Sequence, residues 1–276
     1  MLTPTAEIVG AARAAGRGVG AFNVIQIEHA EAIVAGAERA GLPVVLQISE
    51  NAVRYHGSLE PLGHATLAVA RASSAHVAVH LDHATDVLLV RQAVTLGFGS
   101  VMYDASVLSY EDNVKATAAV VRDCHDHGVY VEAELGEVGG KDGVHAPGAR
   151  TDPAEAAEYV GATGVDALAV AVGTSHAMLT RDATVDFGLV ERLAATVPVP
   201  LVLHGSSGVS DDDLRRAVTS GMTKVNIATQ LNKSFTAAVR SYLDANPSVV
   251  DTRKYLGAGR DAVADEVARL LTIVVG

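Results

Sequence analysis

The stretch HVAVHLDHAT, residues 76–85, is an apolar, strand-like run that ends in polar residues, among them Asp82 and His83. Two further histidines follow apolar runs elsewhere in the chain, His176 in AVGTSH and His204 in VLHG. Three imidazoles that leave one coordination position open are typical of a catalytic rather than a structural zinc site. The types and positions of these residues therefore predict metal-dependent chemistry.

Two carboxylates end further apolar runs, Asp104 in SVMYDA and Glu134 in VYVEAEL. They could orient the imidazoles through hydrogen bonds, or they could be ligands of an alternative or second metal position. The sequence leaves both interpretations open. His80 precedes Asp82 by two residues, so strand alternation places it one layer deeper, where we expect a hydrogen-bonded structural residue.

A second candidate site begins at His204, where HGSSGVSDDDL leads from an apolar run through a Ser/Gly loop into a predicted helix. Such a loop offers backbone N–H groups and hydroxyls to an anion. The segment NIAT, residues 226–229, ends the following run. The alternative is an ordinary tight turn followed by a helix N-cap with an acidic first turn. Beside a metal site, phosphate binding is the better interpretation.

Eight short β-branched runs must position these groups, and amphipathic helical segments, several ending in Gly, separate them. The runs are residues 18–24, 43–49, 76–82, 100–105, 129–135, 167–173, 200–205 and 224–229. This alternation predicts an α/β fold, a (β/α)8 TIM barrel with a single domain over residues 1–276, with a doubly wound open sheet as the alternative. In a barrel, all the residues named above converge on the face formed by the carboxyl ends of the strands.

Composition excludes several classes of protein. Hydrophobic residues make up 49% of the 276 residues and Trp is absent, which suits a parallel sheet buried by Ala, Val and Leu. The formal net charge of −11 argues against a nucleic-acid partner. No apolar run approaches the length of a bilayer span, so we expect no membrane partner. We also expect no secretory signal, because the first residues, MLTPTAEIVGAARAAGRG, contain no apolar h-region. Cys124 is the only cysteine, which excludes an internal disulfide and predicts a cytoplasmic location.

Nine segments in order along nearly the whole chain resemble the class II, zinc-dependent ketose-bisphosphate aldolases, which include the fructose- and tagatose-bisphosphate enzymes. The segments are GAFNV, HLDHA, SVMYDAS, VEAELGEVGG, TDPAEA, TGVDALAVAVGTSH, VLHGSSGV, KVNIATQL and RKYLGAGRDAV. HLDHA and AVGTSH are specific when they occur together. The resemblance implies a lyase that acts in a pathway of carbohydrate metabolism such as glycolysis.

The resemblance also implies a metal site. The residues that it assigns to one catalytic Zn²⁺ are His83, His176 and His204. It makes Asp82 the acid/base residue and places Asp104 and Glu134 at a neighbouring metal position. It leaves room for a second divalent ion and for a monovalent cation.

The implied partner is a ketose phosphate that is cleaved to dihydroxyacetone phosphate and an aldehyde, and the implied assembly is a homodimer or homotetramer. The implied substrate-binding residues are Asn23, Ser49, Ala177, Gly205, Ser206, Ser207, Asn226, Ile227, Ala228 and Thr229. The chemistry agrees with this assignment. Cleavage of the C3–C4 bond leaves negative charge that a Lewis acid can stabilise, and the C4 hydroxyl must lose a proton, which a carboxylate can accept.

Two departures from the family pattern concern substrate handling. Ala177 stands where the family usually has Gly, in GTSHG. The loop GGKDG is one residue shorter than GGKED or GGEED and leaves Asp142 as the nearby acid. We expect either that Asp142 moves protons from a mobile loop or that this loop is a connector.

Arg253, Lys254 and Arg260 form a basic cluster near the C-terminus. We expect either that this cluster lies close to a distal phosphate of the substrate or that it is exposed to solvent at the start of a helix.

Other functions conflict with specific features. A Schiff-base aldolase needs a lysine in the barrel mouth, and Lys224 is expected at the opposite end of its strand. An amidohydrolase-type barrel would need His-x-His on the first strand, where GAFNV stands. The remaining alternative is a degenerate aldolase-like subunit that binds sugar phosphates or joins an assembly without turnover.

Overall fold

The computed structural model of the chain describes residues 1–135, 150–175 and 180–276. Within these ranges, eight parallel strands form a closed barrel in sequence order. The strands are β1 Val19–Asn23, β2 Val44–Ser49, β3 Val77–Ala84, β4 Ser100–Tyr103, β5 Tyr130–Leu135, β6 Ala167–Val170, β7 Leu201–Leu203 and β8 Met222–Ile227. Pairing of β8 with β1 closes the sheet, with Asn226 opposite Ala21. The predicted (β/α)8 barrel is thus confirmed, rather than the open sheet.

Helices surround the barrel. In the described part of the chain they are α1 Thr5–Ala14, α2 Ile27–Ala40, α3 Glu50–His56, α4 Glu60–Ala72, α5 Val87–Leu96, α6 Tyr110–His125, α7 Pro153–Thr163, α8 Phe187–Thr196, α9 Asp211–Thr219, α10 Thr229–Ala245 and α11 Thr252–Val275. A single 3-10 turn, Ser206–Gly208, follows β7. Among the helices described, none is long and apolar enough to cross a membrane.

Local sequence explains where these helices begin and end. Many begin after a Ser or Asp whose side chain accepts a hydrogen bond from the first turn. These N-caps are Ser49, Asp86, Ser109, Asp152, Asp186, Ser210 and Asp251. Helices α2, α5 and α7 end at Gly41, Gly97 and Gly164, each in the left-handed conformation that glycine adopts without strain. The predicted glycine ends are therefore confirmed.

The two ends of the barrel differ in polarity. At the amino end, α1 packs Ile8 and Val9 against Val19 and Val45 in a small apolar cluster. Between strands and surrounding helices lies the main core, built largely from Val, Leu and Ala. Buried polar side chains at the carboxyl ends of the strands include Asp82, Glu134 and Asn226. The fold therefore leaves one face of the barrel for chemistry.

Two strands have bounds that differ from the predicted ones in a way that matters for the site. Strand β3 continues to Ala84, beyond the predicted end at Asp82, and its pairing with β4 shifts register between Leu81 and Ala84. Strand β8 begins at Met222 rather than at Lys224. Lys224 is therefore the third residue of its strand and lies within the barrel.

Candidate metal and sugar-phosphate site

The residues predicted at the strand ends form one cluster at the carboxyl end of the barrel. Side-chain nitrogen and oxygen atoms of Asp82, His83 and His204 lie within 4.8 Å of one another. His83, Asp104 and Glu134 form a second group under the same criterion. The His83 and His204 rings are 4.6 Å apart between centroids, at 76° to each other. Imidazoles and carboxylates in this arrangement can bind a divalent metal.

The end of β3 has an unusual backbone that brings two neighbouring side chains to the same site. His83 has a φ of +50° and is the only non-glycine residue with positive φ within the described ranges. It lies within the register shift between Leu81 and Ala84. In a regular strand, adjacent side chains point to opposite faces, whereas a bulge redirects one of them. The strain at His83 therefore allows it to join Asp82 in the site.

Asp104 fixes the orientation of the His83 ring. His83 Nδ1 lies 2.9 Å from Asp104 Oδ2, and because a carboxylate accepts, the imidazole donates this bond. Asp104 is itself held, since its Oδ1 accepts a 2.6 Å hydrogen bond from the Ser106 hydroxyl. In a neutral imidazole with the proton on Nδ1, the Nε2 lone pair can bind a metal. Of the two roles predicted for Asp104, the orienting one matches this contact.

His204 is fully buried between two glutamates. Its Nε2 is 3.0 Å from Glu132 Oε1, and its Nδ1 is 3.4 Å from Glu134 Oε2. Burial lowers the pKa of His204, but the hydrogen bonds to Glu132 and Glu134 outweigh burial and raise this pKa to about 9. The surroundings of His204 therefore favour positive charge, which a bound metal ion can supply in place of a proton.

Asp82 is surrounded by side-chain amides. Asn226 Nδ2 donates to Asp82 Oδ1 at 3.3 Å, and Gln47 Nε2 and Asn23 Nδ2 donate to Oδ2 at 3.3 and 3.5 Å. Burial opposes ionisation of Asp82, but the charges of His83 and His204 outweigh it and lower the pKa of this carboxyl. Asp82 is therefore a buried carboxylate beside the imidazoles, able to accept a proton.

A second polar layer lies beneath the cluster, and sequence reasoning did not assign it. Gln47, Glu132 and Lys224 are each less than 2% exposed. Each precedes by two residues a side chain that was assigned, namely Ser49, Glu134 and Asn226, respectively. The period of two that placed His80 beneath Asp82 would have found them.

Glu132 is charged and His80 is neutral in this layer. Burial raises the pKa of Glu132, but the Lys224 charge and the His204 hydrogen bond outweigh it and keep the pKa well below its usual range. Burial, together with the Lys224 charge, lowers the pKa of His80 to about 3. His80 Nδ1 lies 2.8 Å from the Ser100 hydroxyl. His80 is thus a neutral, hydrogen-bonded residue one layer down, as predicted from the sequence.

The position expected for Lys224 was wrong. Its Nζ lies inside the barrel, 2.7 Å from Glu132 Oε2, rather than at the far end of its strand. The error came from starting β8 two residues too late. A lysine in a buried ion pair is a poor Schiff-base nucleophile, because that reaction requires a neutral amine. The argument against a Schiff-base mechanism therefore rests on this ion pair.

The loop after β7 is close to the start of α10. Gly205 has a φ of +67°, and a Cβ at this position would lie 2.6 Å from the Ser175 carbonyl oxygen, so only glycine fits. The Ser206 hydroxyl donates to the Asn226 carbonyl, and Ser207 Oγ accepts a 3.3 Å bond from Gln230 N–H. These contacts join the loop to the end of β8.

Helix α10 begins at Thr229, directly after β8. Its N-cap residue is Ala228, and no side chain among the described residues makes a capping hydrogen bond there. An uncapped helix N-terminus beside a Ser/Gly loop suits an anion. Ile227, the last residue of β8, is 1% exposed. The anion site expected from GSSG and NIAT stays a prediction.

The two candidates on β1 and β2 already have hydrogen bonds. Asn23 is half-buried, and its Oδ1 accepts a 2.7 Å bond from Gln47 in addition to its contact with Asp82. Ser49 is the N-cap of α3, and its hydroxyl accepts from Ala52 N–H at 3.2 Å. Asn23 thus belongs to the amide group around Asp82, whereas Ser49 first serves the helix.

Three predicted site residues, Asp142, His176 and Ala177, lie outside the described residues. The basic cluster is described, and two of its members have acidic partners. Arg253 is paired with Asp251, and Arg260 lies 3.1 Å from Glu31.

Comparison with known proteins gives matches over nearly the whole chain. The family model described as "Fructose-bisphosphate aldolase class-II" matches residues 3–275. The fructose-bisphosphate aldolase of Thermus caldophilus is 40% identical, with 97% of this chain and 96% of that protein covered. The enzyme of the same name from Geobacillus stearothermophilus is also 40% identical, with 89% and 87% covered. Among solved structures, the YdjI aldolase of Escherichia coli K12 matches with a TM-score of 0.89 and 31% identity, covering 99% of this chain and 97% of that one.

Proposed function

The chain belongs to the class II fructose-bisphosphate aldolase family, and from this we propose that it catalyses the reversible aldol cleavage of a ketose bisphosphate. The products are dihydroxyacetone phosphate and an aldehyde, so the enzyme is a lyase. The bisphosphates of fructose and tagatose are the substrates that we put forward. A subunit that binds sugar phosphates without turnover is not favoured, because the family match extends over nearly the whole chain and the reactive side chains are retained.

The observation that carries this proposal is the cluster of Asp82, His83 and His204. Their candidate ligand atoms lie within 4.8 Å of one another at the carboxyl end of the barrel. A purely structural cluster would not require the strained backbone at His83, whose φ is +50°. Strain of this kind is typical of functional sites.

The donor set fits zinc, on which the family depends. Imidazole nitrogens and carboxylate oxygens are its usual ligands. Because Asp104 accepts from Nδ1 of His83, the lone pair of a neutral ring lies on Nε2, and the glutamates around His204 favour positive charge there. We assign His83 and His204 as ligands. We assign His176 as the third, since it follows β6, the strand between β5 and β7.

Asp82 is our candidate for the acid/base residue. Bound zinc would act as a Lewis acid that stabilises the negative charge left on the substrate when the C3–C4 bond breaks. Asp82 would accept the C4 hydroxyl proton during cleavage and return it during synthesis. Its lowered pKa keeps the carboxyl ionised, as a proton acceptor must be, and the amides of Asn226, Gln47 and Asn23 hold the carboxylate in place.

Glu134 and Asp104 have separate roles in this proposal. Asp104 orients His83 through the 2.9 Å contact at Nδ1. Glu134 Oε2 is 3.4 Å from His204 Nδ1 and 4.0 Å from His83 Nδ1, so it lies between the two imidazoles. We propose Glu134 as the carboxylate of an alternative or second metal position.

We propose that the phosphate of dihydroxyacetone phosphate binds between the loop after β7 and the start of α10. This assignment covers Gly205, Ser206, Ser207, Asn226, Ile227, Ala228 and Thr229, with Asn23, Ser49 and Ala177 facing the substrate. Backbone N–H groups of the glycine-containing turn and the helix N-terminus would neutralise the anion. An acidic chain needs such local help to hold a phosphate.

Two further proposals concern groups beyond the cluster. Asp142 would carry the proton at C3 of dihydroxyacetone phosphate, with an inert connector as the alternative for its loop. The enzyme would assemble as a homodimer or homotetramer.

The test is a substrate panel. Purified enzyme is given the 1,6-bisphosphates of fructose and tagatose and the matching ketose monophosphates, and release of dihydroxyacetone phosphate is followed by its enzymatic reduction. We expect cleavage of a bisphosphate that a chelator abolishes and added zinc restores. Tight binding of these sugars with no release of product under any metal condition would instead support the binding subunit.

A further inference from the structure

A buried ion pair lies directly beneath His204 in the interior of the barrel. Glu132 on β5 and Lys224 on β8 are 0% and 1% exposed, and Lys224 Nζ is 2.7 Å from Glu132 Oε2. Desolvation of two charges is costly, and well-packed apolar residues of similar volume would serve stability as well or better. The presence of this pair in the barrel therefore calls for a role other than stability.

The two oxygens of Glu132 have different partners. Oε2 accepts from Lys224, whereas Oε1 lies 3.0 Å from His204 Nε2. The Asn226 amide nitrogen also lies 3.0 Å from Nε2. Carboxylates accept, and the Glu132 contact at Nε2 is shorter than the 3.4 Å Glu134 contact at Nδ1, so we place the proton of a neutral ring on Nε2. This leaves Nδ1 of His204 toward the cluster, 3.4 Å from Glu134.

Lys224 restricts how Glu132 can move. With Oε2 bound to the ammonium, rotation of the carboxylate is limited, and Oε1 stays in line with His204. His80 lies near the same oxygen as Lys224, with its Nε2 3.9 Å from Oε2. A ligand imidazole whose second nitrogen donates to a fixed carboxylate has a fixed tautomer and ring orientation.

We propose that Glu132 and Lys224 form a positioning pair that presents Nδ1 of His204 to the metal. This inference rests on the proposed function, in which His204 is a zinc ligand. Neither member of the pair touches the substrate. Glu132 sets the tautomer and tilt of the ring, and Lys224 keeps Glu132 in place.

The central variant is Glu132→Gln, and the readouts are the zinc dissociation constant by competition with a chromophoric chelator and the visible spectrum of the cobalt-substituted protein. We expect zinc affinity to fall by about 10- to 100-fold. The cobalt spectrum should shift, because it reports ligand geometry. The melting temperature of the metal-free protein separates this effect from a general loss of structure.

Two further variants keep the test decisive. Glu132→Asp retains the charge but has a side chain one methylene shorter. We expect this variant to fold and to bind zinc more weakly than the wild type. If Glu132→Gln does not fold, Glu132→Asp takes its place in the test. Glu132→Gln combined with Lys224→Met removes both charges and should restore stability without restoring zinc affinity. Recovery of wild-type zinc affinity in the double variant would show that only the unpaired charge mattered and would overturn the proposal.

His204→Ala separates failure of the inference from failure of the proposed function. If His204→Ala binds zinc as tightly as wild type, then His204 is not a ligand and the proposed site is wrong. If His204→Ala loses zinc but a folded Glu132 variant keeps wild-type affinity and an unchanged cobalt spectrum, the site stands and the positioning pair is refuted.

Discussion

Asp82 and His83 are neighbours in the chain, yet both present ligand-type atoms to His204 within 4.8 Å. The positive φ of His83 and the register shift against β4 make this possible. One strand end therefore supplies two reactive groups with different surroundings. Amides surround Asp82, whereas the Asp104 carboxylate holds His83. In the proposed function, this difference separates Asp82 as a proton carrier from His83 as a metal ligand.

Replacement of Asp82 by Asn should separate those two roles. The variant keeps the size of the side chain but cannot accept a proton, so turnover should fall by about 100-fold or more. Zinc content, measured by atomic emission, should stay at the wild-type level. Loss of the metal in Asp82→Asn would instead make Asp82 a ligand or a support for one.

Replacement of Asp104 by Ala should release the His83 ring. Because Asp104 holds Nδ1 of His83, the zinc dissociation constant should rise by roughly 10- to 100-fold, while saturating zinc should restore much of the activity. Equilibrium dialysis measures the change. If the wild-type protein instead binds a second ion that disappears in Asp104→Ala, then Asp104 is itself a ligand.

Replacement of Asp142 by Ala tests the proton carrier at C3. If Asp142 moves this proton, solvent deuterium should enter dihydroxyacetone phosphate more slowly in the variant, with zinc content unchanged. Nuclear magnetic resonance of the C3 protons follows the exchange. Exchange at the wild-type rate would assign the proton to another group, with Asp82 and His145 the next candidates.

Asp211 should contribute stability that depends on pH. Burial raises the pKa of Asp211, but hydrogen bonds from Arg181 and Arg269 outweigh burial and lower it. A carboxylate with a lowered folded pKa stabilises the protein above its unfolded pKa, about 4, and loses this effect as the pH falls through the folded value. Asp211→Asn should therefore cost roughly 1 kcal/mol at neutral pH, allowing for partial exposure.

The urea midpoint of unfolding measures this difference, which should vanish in acid. Asp212→Asn is the matched control, because Asp212 is the next residue on α9 and pairs with Arg215 while its side chain is 96% exposed. Equal losses in the two variants, or a loss that persists in acid, would contradict the assignment to the Arg181 and Arg269 contacts.

Much of this arrangement could be predicted from sequence, because parallel strands buried on both faces are apolar until they end. Polar residues such as Asp104 and His204 therefore mark strand ends, and a barrel brings those ends together. Glycines after helical segments, such as Gly41 and Gly97, similarly mark where α2 and α5 end.

What sequence could not provide depends on contacts between strands. The bulge at His83 arises from pairing with β4, and a period of two alone would have turned His83 away from Asp82. Lys224 was misplaced because the predicted start of β8 left out Met222 and Thr223. Its pairing with Glu132 joins residues 92 positions apart in the chain. No local pattern reports such a pair.

Restoration of activity by zinc tests the central claim most directly. Metal is removed with a chelator, zinc is returned in steps, and cleavage of fructose 1,6-bisphosphate is measured against bound zinc for the wild type and for His204→Ala. We predict that wild-type activity rises in proportion to zinc and saturates at a single ion per chain, while His204→Ala recovers neither metal nor activity. Full activity in metal-free wild-type protein would contradict the account.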